Sequence, residues 1–113
     1  MSPAPHSPER LRDRASIFAA LGDETRLALV GRLSDGAPRS ISSLAEGATV
    51  TRQAITKHLR VLEGAGVVRS TRVGRESQFA LRPEPLDEVR AYLARVSDRW
   101  GEALGRLKSF VEA

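Results

Sequence analysis

Apolar residues Leu11, Ala15, Phe18 and Leu21 recur at helical spacing from Glu9 and stop at Gly22, which predicts a first helix closed by a glycine. Asp23 is placed to accept the free N–H groups at the start of a second helix, whose apolar face holds Leu27, Val30 and Leu33. The run Ser34-Asp35-Gly36-Ala37-Pro38 ends it. Two short helical patterns follow, divided by a tight turn. The first carries Ile41, Leu44 and Ala45 with Ser42 as its cap; the second, over 51–65, carries Ile55, Leu59 and Leu62, opens on Thr51 and stops at Gly64-Ala65-Gly66. Val67 to Val73 and Glu76 to Leu81 are β-prone runs around Gly74-Arg75, and Ser77, Phe79 and Leu81 alternate as a hairpin strand does. Arg82-Pro83-Glu84-Pro85 breaks the chain before the last element.

From Leu86 the chain shows its most regular period. Leu86, Leu93, Trp100 and Leu107 lie seven apart, and Val89, Val96, Ala103 and Phe110 follow each by three, which are the a and d positions of four heptads. Such a stripe either lies on its own domain or meets a second copy. The dimer reading, with a dimerisation helix over about 86–112, rests on size: the other helices offer little surface to cover one about 40 Å long at 1.5 Å per residue. Gly101 and Gly105 weaken that helix by about 1 kcal/mol each relative to Ala unless their face meets another backbone closely.

The predicted fold is mainly α with a small β-hairpin wing, a winged helix-turn-helix. At 113 residues one domain is expected, over 9–113, and residues 1–8, with three prolines and no apolar period, are expected to be a disordered tail. No apolar run approaches the ~18 residues of a membrane span, and MSPAPHSPER lacks the apolar stretch of a secretion signal, so a cytoplasmic protein with no membrane partner is expected. The absence of cysteine excludes thiolate chemistry, disulfides and cysteine-ligated metals, and His6 and His58 are the only histidines. Asp87 and Glu88 read as solvated charge rather than metal ligands. No cofactor, metal or enzymatic activity is therefore expected.

Charge is unevenly placed. Between Ala37 and Arg82 there are eight basic side chains against three acidic ones, whereas the whole chain carries only +4. An anionic partner for that segment follows. In a helix-turn-helix the second helix enters the major groove by its N-terminal end. There, Arg52 and Gln53 have the donor and acceptor groups to read guanine and adenine edges, while Thr51, Thr56, Lys57 and Arg60 suit phosphates or single hydrogen bonds. Arg72 and Arg75 flank the hairpin turn, within reach of a minor groove or its phosphates. Ser42 joins the DNA-facing set, His58 either donates to a phosphate or fills a place at the core edge, and Arg26 reads as a structural ion pair.

The segments Phe18-Ala19-Ala20-Leu21-Gly22-Asp23-Glu24-Thr25-Arg26, Ser43-Leu44-Ala45 and Ala54-Ile55-Thr56-Lys57-His58-Leu59-Arg60-Val61-Leu62-Glu63-Gly64-Ala65-Gly66-Val67-Val68 resemble the ArsR family of bacterial repressors, over roughly residues 17–81. The resemblance implies a homodimer joined by the first and last helices, which sets Leu11 and Phe18 beside Leu86, Val89, Leu93, Val96, Trp100 and Leu107. It also implies an imperfect palindrome of double-stranded operator DNA as partner, repression of its own or neighbouring genes, and release by an effector. Metal sensors of the family place cysteines in the helix that here reads Ser42-Ser43-Leu44-Ala45-Glu46, or histidines and carboxylates in the last helix. This chain has neither set, so the implied control passes to a small organic ligand, a partner protein or concentration alone.

Overall fold

In the computed structural model, which describes residues 8–112, the chain forms α1 (Pro8–Leu21), α2 (Glu24–Arg32), β1 (Arg39–Ser40), α3 (Ile41–Ala45), α4 (Arg52–Gly64), β2 (Val68–Val73), β3 (Glu76–Leu81) and α5 (Pro83–Glu112). The expected tail lies outside the described residues except for Pro8, which opens α1. Asp23 accepts the Arg26 N–H at 3.0 Å and so starts α2. At the end of α4, Gly66 takes φ 80°, and the Gly66 and Val67 N–H groups return to the carbonyls of Glu63 and Leu62, each at 2.9 Å. That is a Schellman closure, which turns the chain directly into β2.

The core gathers one apolar stripe from each element. Ile17 and Ala20 of α1, Leu29 and Leu33 of α2, Leu44 of α3 and Ile55, Leu59 and Leu62 of α4 are buried together with Val67, Val68, Phe79 and Val89. The face of α2 is therefore set by Leu29 and Leu33, with Val30 at its edge, and Leu27 points to solvent. Several consecutive apolar residues in α2 allow two overlapping stripes, and packing on α4 selects one of them.

Two features differ from the expected outline. The hairpin is part of a three-stranded antiparallel sheet in the order β1-β3-β2, because Arg39 and Ser40 pair with Phe79 and Gln78. Helix α5 begins at Pro83 rather than after Pro85. Neither proline obstructs it, since the first four N–H groups of a helix have no partner within it and the proline φ suits the first turn.

The heptad stripe divides along α5. Val89 is buried in the protein's own core and Leu86 packs against it, as does Phe18 from α1. These three residues, expected at a dimer contact, are thus buried wholly or in part within the single chain. Beyond Tyr92 most of the stripe is open: Leu93, Trp100, Leu107 and Phe110 are exposed, with Trp100 at 64% and Phe110 at 80%, as are Leu104 and Val111 beside it, while Val96 and Ala103 are half-buried.

Candidate nucleic-acid interface

Helix α4 is held in place by its apolar side and presents the other. Thr51 Oγ1 accepts the Ala54 N–H at 3.1 Å to cap it, while Ile55, Leu59 and Leu62 anchor it in the core. At about 100° per residue, Arg52, Gln53 and Lys57 then fall on the outer face near the N-terminal end. All three are exposed, and their side chains make no hydrogen bond or ion pair with other described residues. They are long polar groups kept free by construction, not spent on the fold.

The wing brings cations to the same side. Val73 faces Glu76 across a two-residue turn in which Gly74 takes φ 61° and Arg75 stays at negative φ, the pattern of a II′ turn that needs glycine first. Arg72, just before it, and Arg75, within it, are exposed. A cleft of about 150 Å³ is lined by Ser42 of α3, Arg52 of α4 and Arg75 of the wing, with Ser40, Ile41, Glu76 and Ser77. Residues distant in sequence thus meet around one concavity, among them Ser42, Arg52 and Arg75 of the expected set. Ser42 is free to take part because Ser40, not Ser42, caps α3 by accepting the Ser43 N–H at 3.1 Å.

Other expected residues are already engaged. The Thr56 hydroxyl donates to the Arg52 carbonyl at 3.0 Å, whereas the Thr51 hydroxyl, being an acceptor in its cap, keeps its proton for a phosphate. His58 faces inward, toward α2: the Arg26 guanidinium donates to its Nδ1 at 3.2 Å and the Asp23 carboxylate lies 3.7 Å away. Its Nδ1 is thus engaged within the fold. Arg26, expected in a structural ion pair, makes its shortest bond to backbone, from Nε to the Ala20 carbonyl at 2.6 Å. Asp23 is held below the ordinary carboxylate range, chiefly by the Arg26 N–H it accepts and then by the charge of Arg26.

Sequence reasoning missed a tie between α4 and the wing. Arg60 donates to Glu63 at 2.7 Å and lies over the buried ring of Phe79, 5.3 Å from its centre, while the Ser70 hydroxyl of β2 donates to the other oxygen of Glu63 at 2.5 Å. These bonds hold the Glu63 carboxyl below its usual range, Ser70 first and Arg60 second. Arg60 is thereby turned toward the wing rather than held free like Gln53 and Lys57. The i, i+3 spacing of Arg60 and Glu63 was a readable signal; the arrival of Ser70 and Phe79 was not.

Among the described residues no group of three or more His, Asp or Glu side chains is placed to hold a metal ion, and no helix is long and apolar enough to cross a membrane. Residues 21–71, from the end of α1 into β2, match the family model for a helix-turn-helix domain. The chain is 39% identical over 83 residues to the HTH-type transcriptional regulator YuzN of Bacillus subtilis, covering 68% of this chain and 90% of that one. It is 38% identical over 95 residues to the HTH-type transcriptional regulator Rv2034 of Mycobacterium tuberculosis, covering 84% and 83%. An ArsR-like transcriptional regulator from Rhodococcus sp. RHA1 superimposes with a TM-score of 0.75 at 39% identity, over 90% of this chain and 95% of that one. With its capped reading helix, basic hairpin and these relatives, the chain belongs to the ArsR family of winged helix-turn-helix transcriptional regulators, a class of DNA-binding proteins and not of enzymes.

Proposed function

We propose that the protein is a homodimeric repressor that seats α4 in the major groove of operator DNA and rests its wing on the adjacent minor groove or phosphates. The observation that carries this reading is the row of unengaged side chains at the leading end of α4, Arg52, Gln53 and Lys57, of which Arg52 shares one cleft with Ser42 and Arg75. Arg52 and Gln53 supply base-reading chemistry, and Lys57, Thr51, Arg72 and Arg75 supply phosphate contacts. The second copy is supported by the open part of α5, where Leu93, Trp100 and Leu107 repeat at heptad spacing in solvent, with Leu11 exposed on α1. Two-fold symmetry then sets two reading helices about one turn of DNA apart, ~34 Å.

Release from the operator is governed by something other than a metal ion, in keeping with a chain that has no cysteine. As a DNA-bound regulator it acts in the cytoplasm, on its own or neighbouring genes. The test is to sequence genomic fragments retained by the purified, metal-free protein at moderate salt. Enrichment of a near-palindrome, unchanged when zinc is added, is expected. Retention of all fragments alike, or none, overturns sequence-specific binding; retention only with metal overturns the metal-independent part.

A further inference from the structure

Between α2 and the turn that joins α3 to α4 lies a cleft of about 500 Å³, which shares no lining residue with the cleft beside the wing. Its floor is apolar and belongs to the core: Leu29 of α2, Leu44 of α3 and Ile55 of α4. Its rim is open to water, because Glu24 and Ala28 on α2 and Glu46 after α3 are exposed, so a small molecule has a route in. A space of about 300–1,000 Å³ with an apolar base and a few polar groups is the ordinary form of a small-molecule site.

The polar groups of the lining select the ligand. Glu24 and Glu46 make no hydrogen bond or ion pair through their side chains with other described residues. Glu24 is not needed to start α2, since Asp23 already accepts the Arg26 N–H there. The cation of the lining, Arg32, has both terminal nitrogens turned to the carbonyls of Leu44 and Ser43, at 2.7 and 3.1 Å, and so closes the end of α3 rather than awaiting an anion. The hydroxyls of Thr25 and Thr49 add neutral acceptors. From these observations we infer that the cleft binds a small organic cation, an amine whose ammonium meets Glu24 and Glu46 while its apolar body covers Leu29, Leu44 and Ile55. An ammonium has three N–H donors and no acceptor, which matches this rim, whereas a carboxylate or phosphate would meet two like charges.

Gly47, at φ 71°, and Val50 line the cleft from the turn, and the next residue, Thr51, caps α4. A body seated there sets the distance of the turn, and with it the leading end of α4, from α2. Amine binding then supplies the release signal of the proposed repressor; that role, unlike binding itself, rests on the repressor reading.

The full-length protein is titrated with phenethylammonium chloride to about 10 mM, ten times the Kd of about 1 mM expected of so small a ligand, while its backbone amides are followed by NMR. Phenylethyl alcohol and phenylacetate, at matched ionic strength, are the neutral and anionic controls. The amine should move the Ala28, Gly47 and Ala48 amides, and the controls should not. Glu24→Gln combined with Glu46→Gln, both at exposed positions, should weaken the amine by about tenfold or more. Amides unmoved by the amine, moved equally by the alcohol, or moved equally in E24Q/E46Q overturn the site; should that variant fail to fold, the comparison with the alcohol decides alone. Operator affinity is then read with and without the amine. A fall of about tenfold, absent in E24Q/E46Q, establishes the effector role, and an unchanged affinity overturns that role. A protein that binds the amine but no operator would sink the repressor reading and leave the site standing.

Discussion

The reading half of the molecule and the outer half of α5 use side chains in opposite ways. In the first, from α2 through the wing, most large apolar groups are buried, the starts of α2, α3 and α4 are capped, and the outward row on α4 and the tip of the wing are left unbonded among the described residues. In the second, a helix of 30 residues carries aromatic and aliphatic groups into water for most of its length past Tyr92. One region is complete as a single chain and reserves polar groups for a partner; the other reserves apolar ones. Polar groups left free on a surface are stable in water while they wait, whereas an apolar stripe of this extent is costly until covered. Under the proposed function the two regions set an order, with assembly of two chains preceding recognition of DNA.

The contrast breaks hardest at Phe79. Replacing this buried ring by Ala removes the floor under Arg60 and opens a cavity, and a loss of about 3–5 kcal/mol is expected by chemical denaturation. Trp100→Asp should leave the fold intact but weaken the dimer at least a hundredfold, about 2.7 kcal/mol, by placing a charge in the heptad seam. An unchanged sedimentation profile would show that the open stripe is not the contact. Gln53→Ala should lower discrimination at one base position by about 1–3 kcal/mol in competition assays, whereas Arg75→Ala should weaken all sequences alike and flatten the salt slope by about one unit. Equal losses on operator and random DNA for Gln53→Ala would remove its reading role.

The smallest expected effect tests the joint inside the complete half. Glu63 is held below its ordinary value of 4.5, so its contribution is full above that pH and fades as pH falls through the lower folded-state value. Because the pair is partly exposed, about 0.5–1 kcal/mol is expected. Glu63→Gln should lose that amount at neutral pH and show a flatter acid limb in thermal melts; an acid limb unaltered in the variant would place the titration elsewhere.

Much of this division is legible in the chain itself. Asp23, Thr51, Gly66 and Gly74 each act through their immediate neighbours, so caps and turns can be read from local order. The seven-residue period of α5 is equally plain, but a period names a face and not its occupant, which is why Val89 and Leu86 turn inward while Leu93 and Trp100 do not. Contacts made at long separation escape such reading. Strand β1 is two residues with no alternation of their own, formed only because β3 passes beside them. The inward turn of His58 depends on Arg26, 32 positions earlier. Arg14 looks from sequence like one more solvated arginine on α1, and only the approach of α5 makes it a buried cation.

Arg26 joins three elements through one side chain: it sits on α2, grips the last turn of α1 at the Ala20 carbonyl and touches α4 at His58. The end of α1, close to the junction with α5, is thus tied to α4 through one side chain. In the two-fold pair proposed above, rotation about the axis relates two such ties, so a small change in how the chains meet would alter the gap between their α4 helices. Set against the fixed pitch of the double helix, that gap would act as a gauge in the proposed complex.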